Sequence, residues 1–191
     1  MGASAGGMRA LAAVLGRLPA SFSLPISVVQ HVDERADGYL AEHLDRLCAI
    51  RVKEAEDKEM MTAGTAYLAP AGYHLLVDPG GSFSLSIDER VNFVRPAIDV
   101  LFESAADAFG ETLIGVVLTG ANDDGAGGLK AVKQRGGLAI VQSPRTAEAK
   151  RMPESALAAT TVDFVLDLDE IAARLVELCE EGVTHGRHSA S

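Results

Sequence analysis

The chain has 191 residues, 48% of them hydrophobic, and a formal net charge of −10, which suits a single soluble domain with a substantial core. The negative charge, with no cluster of Lys and Arg and no interleaved aromatics, argues against a nucleic-acid surface. No apolar run approaches the roughly 18 to 20 residues of a membrane span and the start lacks the features of a signal peptide, so a cytoplasmic protein without direct membrane insertion is expected.

The chain opens with Gly2-Ala3-Ser4-Ala5-Gly6, a G-x-S-x-G pattern in which small neighbours let a sharp strand-to-helix turn present the serine oxygen while backbone N–H groups stay free. Taken alone, the turn also fits a helix start capped by Ser4. A phosphate cradle is disfavoured, because no Lys-Ser or Lys-Thr follows Gly7 and the G-x-G-x-x-G spacing is missing. Residues 7–18 predict a helix with Met8, Leu11, Leu15 and Leu18 on one face, stopped by Pro19. Residues 25–31 read as a buried strand with His31 at its carboxyl end, residues 39–50 as a helix with Leu40, Leu44 and Leu47 on one face, and residues 51–53 as a short strand. Cys48 and Cys179 fit no metal-ligand or Cys-x-x-Cys spacing and read as buried thiols.

The middle differs: residues 66–70, 73–77 and 82–87 read as short strands between Pro and Gly turns, with Asp78-Pro79-Gly80-Gly81 as the turn of a hairpin. Residues 96–109 predict a helix with Ile98, Leu101, Phe102, Ala105 and Phe109 on one face. Alternation then resumes: a strand over 113–118, a helix over 123–135, a strand over 138–141, a short helix over 153–159, a strand over 163–166 and a helix over 169–179. The domain is expected to span 1–181, with 182–191 as a disordered tail.

Strands alternating with helices imply an α/β fold, a doubly wound and mostly parallel sheet flanked by helices, with the antiparallel hairpin inserted. In such sheets functional groups gather at the carboxyl ends of strands near a topological switch point. Ser4, His31 and the pair Asp123 and Asp124 all fall at such ends, and a serine nucleophile, a histidine base and an orienting carboxylate are what acyl transfer requires. Separately, each has an ordinary reading: His31 as a core histidine, either aspartate as a helix N-cap. His43 is mid-helix, His74 lies in the hairpin, and His185 and His188 are in the tail. The order Ser4, His31, Asp124 departs from the serine, acid, histidine order of α/β-hydrolases.

With these motifs in order, the chain resembles the catalytic domain of the CheB-type chemotaxis receptor methylesterases over nearly its whole length. The resemblance is carried by Gly2-Ala3-Ser4-Ala5-Gly6-Gly7, Val28-Val29-Gln30-His31, Tyr67-Leu68-Ala69-Pro70 with His74 following, Arg95-Pro96-Ala97-Ile98-Asp99-Val100-Leu101-Phe102, Leu118-Thr119-Gly120 with Asp123-Asp124-Gly125-Ala126, and Met152-Pro153. It implies hydrolysis of glutamate methyl esters on the cytoplasmic part of methyl-accepting chemoreceptors, often with deamidation of receptor glutamines. Carried over residue by residue, Ser4 is the nucleophile, His31 the base and Asp124 the carboxylate. Oxyanion donors are expected at the backbone N–H groups of Ala5 and Ala121, with no metal or cofactor. The chain departs from the family at Ala5, where threonine is usual, at Ala121, often methionine, and at Arg151-Met152-Pro153, commonly Gly-Met-Pro; these touch the rim of the site. The family also places an apolar strand before the serine turn and, in many members, a receiver domain, neither of which is expected within these 191 residues. The alternative is a catalytically weak module that binds receptor or a signalling partner on the same fold.

Overall fold

A computed structural model of the chain describes residues 1–33 and 38–186. Its elements are β1 (Gly2–Ala3), α1 (Gly7–Leu15), β2 (Ile26–Gln30), α2 (Tyr39–Leu47), β3 (Arg51–Glu54), β4 (Thr65–Leu68), β5 (His74–Val77), β6 (Phe83–Ser86), α3 (Ile98–Phe109), β7 (Ile114–Val117), α4 (Ala126–Gln134), β8 (Leu138–Gln142), α5 (Arg151–Ala159), β9 (Phe164–Leu166) and α6 (Ile171–Gly186). Seven strands form one sheet in the order β3-β4-β2-β1-β7-β8-β9, all parallel, while β5 and β6 pair as a separate antiparallel hairpin. This is the doubly wound α/β architecture expected from the alternation of periods.

Successive strand side chains point to opposite faces, and here both faces are covered. Val28, Val116 and Ile140 enter a core built with α1, α2 and α6. Their neighbours Val29, Val117 and Val141 enter a second core with α3, α4, α5 and the hairpin. Burial on both sides explains why these strands read as continuous apolar runs.

Several local expectations are corrected. Residues 65–68, grouped in the sequence with the short strands of the middle, belong to the parallel sheet between β3 and β2, where all four are buried, while the two later strands pair as the expected hairpin. Met8 and Leu47 are exposed. The first helix is pressed onto the sheet through Gly7, where an added Cβ would collide with Gln30 and Ala3, and Met8 lies about 100° further round. Cys179 is buried but Cys48 only half-buried. The last helix runs to Gly186, into the segment expected to be a tail, and residues 187–191 lie outside the described residues. Among the described residues, no helix is long and apolar enough to cross a membrane.

Candidate active site

The strand order reverses around β1, which has β2 on one side and β7 on the other. Their carboxyl ends carry Ser4, His31 and the 119–124 turn. The serine turn is held from both sides: Ser4 N–H donates to Thr119 O at 2.9 Å, and Gly7 N–H donates to Ser4 O at 2.7 Å. Gly6, just before α1, has φ 77, a left-handed conformation that suits glycine. His31 N–H continues the ladder to Ala3 O at 3.1 Å. The Gln30 amide then donates to Ser4 O and to His31 O, each at 2.9 Å, tying the two turns together. Gly120 permits the close approach: a Cβ there would lie 1.8 Å from Met152 Sδ and 3.0 Å from Ser4 Cβ.

His31 Nε2 lies 2.7 Å from Asp124 Oδ2, with the two side chains 10% and 0% exposed. Asp124 also accepts Ile98 N–H at 2.7 Å, Asn92 Nδ2 at 2.9 Å and Asp99 N–H at 3.1 Å. Burial alone would favour the neutral acid, but the bond from His31 and those from Ile98, Asn92 and Asp99 outweigh it and hold the carboxyl below its ordinary pKa. An ionised carboxylate only accepts, so Nε2 of His31 carries the ring proton. Nδ1 is then the unprotonated ring nitrogen, and it faces Asn122 Nδ2 at 3.4 Å. Relative to the serine protease arrangement, the ring is presented the other way round. The Ser4 hydroxyl makes no hydrogen bond among the described residues, a looseness common before substrate binds. Nor do the N–H groups of Ala5 and Ala121 donate to any described residue, which leaves both available to an oxyanion.

Asp123 is not part of this cluster. The fourth helix starts at Ala126, three residues later than its apolar spacing predicts, after Gly125 at φ 95, so Asp123 is not its cap. Its side chain turns outward to the Arg151 guanidinium and the Ser155 hydroxyl. Those partners, Arg151 first, lower its pKa to about 2.

Three supporting residues went unassigned in the sequence: Gln30, Asn92 and Asp99. Asp124 caps the start of α3 through Ile98 and Asp99 N–H. In return, Asp99 Oδ1 accepts Gly125 N–H at 2.9 Å and Gly128 N–H at 2.6 Å at the start of α4. Asn92 bridges the two carboxylates, reaching Asp99 Oδ2 at 2.8 Å. The two helices thus cap each other with carboxylates from opposite elements, and this fixes Asp124 against His31. Replacing Asp99 with alanine strands two N–H groups and is expected to cost about 1 to 2 kcal/mol of stability in a urea melt. Turnover should fall with it; unchanged stability would show that the reciprocal cap contributes nothing.

The family model described as CheB methylesterase matches residues 1–175. A Leptospira interrogans protein named for protein-glutamate methylesterase and protein-glutamine glutaminase is 53% identical over 178 residues, covering 93% of this chain and 92% of that one. A Geobacillus kaustophilus protein with the same two activities in its name is 44% identical over 185 residues, and the chain spans 53% of its length. The crystal structure of the Thermotoga maritima CheB methylesterase catalytic domain superposes with a TM-score of 0.89 at 37% identity, covering 93% of this chain and 95% of that one.

Proposed function

The chain belongs to the CheB methylesterase family, and on that premise we propose that it hydrolyses γ-methyl esters of chemoreceptor glutamates with Ser4, His31 and Asp124. The observation that carries the assignment of residues is the buried His31–Asp124 pair, standing one strand away from a serine held in a tight turn. Ser4 Oγ attacks the ester carbonyl while His31 Nδ1 takes its proton. Asp124 holds the Nε2 proton and stabilises the ring as it becomes cationic. The oxyanion meets the N–H groups of Ala5 and Ala121, one such donor being worth ~3 to 4 kcal/mol of barrier. Methanol leaves with the proton from His31, and water cleaves the acyl-enzyme by the same steps. Ala5 and Ala121 are exposed and Ser4 is only half-buried, so the site is open to a side chain carried on a folded protein.

The same steps release ammonia from a receptor glutamine, and the names of the two relatives favour this second activity. The test is to incubate the protein with the cytoplasmic part of a methyl-esterified receptor and measure methanol, then with an amidated receptor and measure ammonia. Binding without release of either would replace the enzyme reading with that of a receptor-binding module.

A further inference from the structure

Between the hairpin and α3, residues 87–95 form a strap that reaches the buried acid from outside. Arg95 Nη1 donates to Ile87 O at 2.7 Å and Asp88 O at 3.0 Å, and His74 Nε2 lies 3.0 Å from Glu89 O. At the tip, Val94 N–H donates to Val91 O at 3.0 Å across Asn92 and Phe93. Both central residues have positive φ, 53 and 66, the φ signature of a type I′ turn. Asparagine tolerates this region, whereas a bulky residue in it is strained and such strain gathers at functional positions.

The two residues face opposite ways. Asn92 turns inward and holds Asp124 and Asp99. Phe93 turns outward and is 94% exposed, with Ile87 at 70% and Val91 also exposed on the same strap. A glycine at 93 would suit the turn and leave no bare ring. Three exposed large apolar side chains fall within seven residues of one strap, interspersed with the exposed Asp88, Glu89 and Arg90, the mixture of apolar and charged groups that protein contacts use. The strap is tied by Arg95, by His74 and, at its tip, by Asn92, so the backbone that carries Phe93 is already held and less freedom is lost when it binds.

We propose that Phe93, with Val91 and Ile87 beside it, is the docking surface for the polypeptide that carries the esterified glutamate, making contact with apolar side chains that flank the ester. The proposal rests on the methylesterase reading, and the occupant follows from continuity with the site: Asn92, the neighbour of Phe93 in the same turn, donates to the acid that holds His31, so the protein that brings an ester to this site is the partner whose surface Phe93 is placed to meet. Phe93 determines substrate affinity and takes no part in the chemistry.

The test compares wild type with Phe93→Gly and Phe93→Ala on two substrates, the esterified receptor cytoplasmic domain and a free glutamate γ-methyl ester. On receptor, KM should rise about 10- to 30-fold, the size of a moderate interface hot spot, with kcat within about twofold. On the small ester, kcat/KM should hold, and Phe93→Gly should melt no lower than wild type, because the turn is relieved of strain. An unchanged receptor KM overturns the proposal. Equal losses on both substrates overturn it too, by assigning Phe93 to the support of Asn92 and Asp124. A concentration-dependent dimer in sedimentation that Phe93→Gly abolishes would make the occupant a second copy of this chain, also against it. Wild type that cleaves the small ester but releases no methanol from receptor removes the methylesterase reading itself, a failure visible before any variant is read.

Discussion

Ser4→Ala is expected to reduce methanol release by roughly 10⁶-fold, the loss seen when a triad nucleophile is deleted, while leaving thermal stability nearly unchanged. The two halves of that expectation come from different atoms. The hydroxyl makes no hydrogen bond within the described residues, so removing it strands no partner. The Cβ, packed against Gly120, is retained in alanine, and the backbone bonds from Ser4 to Thr119 and from Gly7 to Ser4 do not depend on the side chain. A folded, receptor-binding and inactive protein is the outcome that assigns the nucleophile. Methanol release by Ser4→Ala at the wild-type rate would remove the acyl-enzyme mechanism altogether, and a large drop in melting temperature would make the loss uninformative about chemistry, in which case Ser4→Cys supplies the independent check through slower but measurable turnover.

The parts of this site that were legible in the sequence share one property: each sits at the end of a segment whose period identifies it. Ser4 follows small residues before a helix and His31 closes an apolar run, so the rule that α/β sheets gather function at carboxyl strand ends brings them together without coordinates. The rest depends on approach in three dimensions. Helix α4 begins only at Ala126 because Gly125 takes a left-handed conformation and Asp99 supplies the acceptor for its first N–H groups, information held 26 residues upstream. Asn92 looks like an ordinary loop residue until its amide is seen between two carboxylates. Strand β4 carries the same short apolar signature as the hairpin strands after it, and only its pairing with β2 and β3 assigns it to the main sheet.

The two adjacent acids are the sharpest case, since no spacing rule separates Asp123 from Asp124, and their replacement with asparagine should have very different results. Around Asp124 all four partners are donors: His31 Nε2, Ile98 N–H, Asn92 Nδ2 and Asp99 N–H. An amide has one oxygen and one NH₂ group, so Asp124→Asn sets N–H against N–H on one side whichever way it turns. If the NH₂ faces His31, the ring must accept at Nε2 and carry its proton on Nδ1, the nitrogen that takes the proton of Ser4 in the proposed mechanism. Turnover should therefore fall about 10²- to 10⁴-fold, the upper figure being that of a triad carboxylate changed to an amide. The substitution also alters stability against pH. Because the folded-state pKa of Asp124 is depressed, its ionisation stabilises the fold above the ordinary carboxylate range, and that stabilisation is lost as pH falls through the folded pKa. Asp124→Asn should thus be less stable than wild type at pH 7, with the gap narrowing below about pH 4. Asp123 is exposed and paired outward with Arg151 and Ser155, so Asp123→Asn leaves both the tautomer of His31 and its charge as they were. Its loss of turnover should stay under about tenfold, as expected of a surface ion pair. Methanol release and urea melts of both variants, each at pH 4 and pH 7, decide between them; equal losses, or the larger loss at Asp123, would assign the orienting carboxylate to the wrong residue.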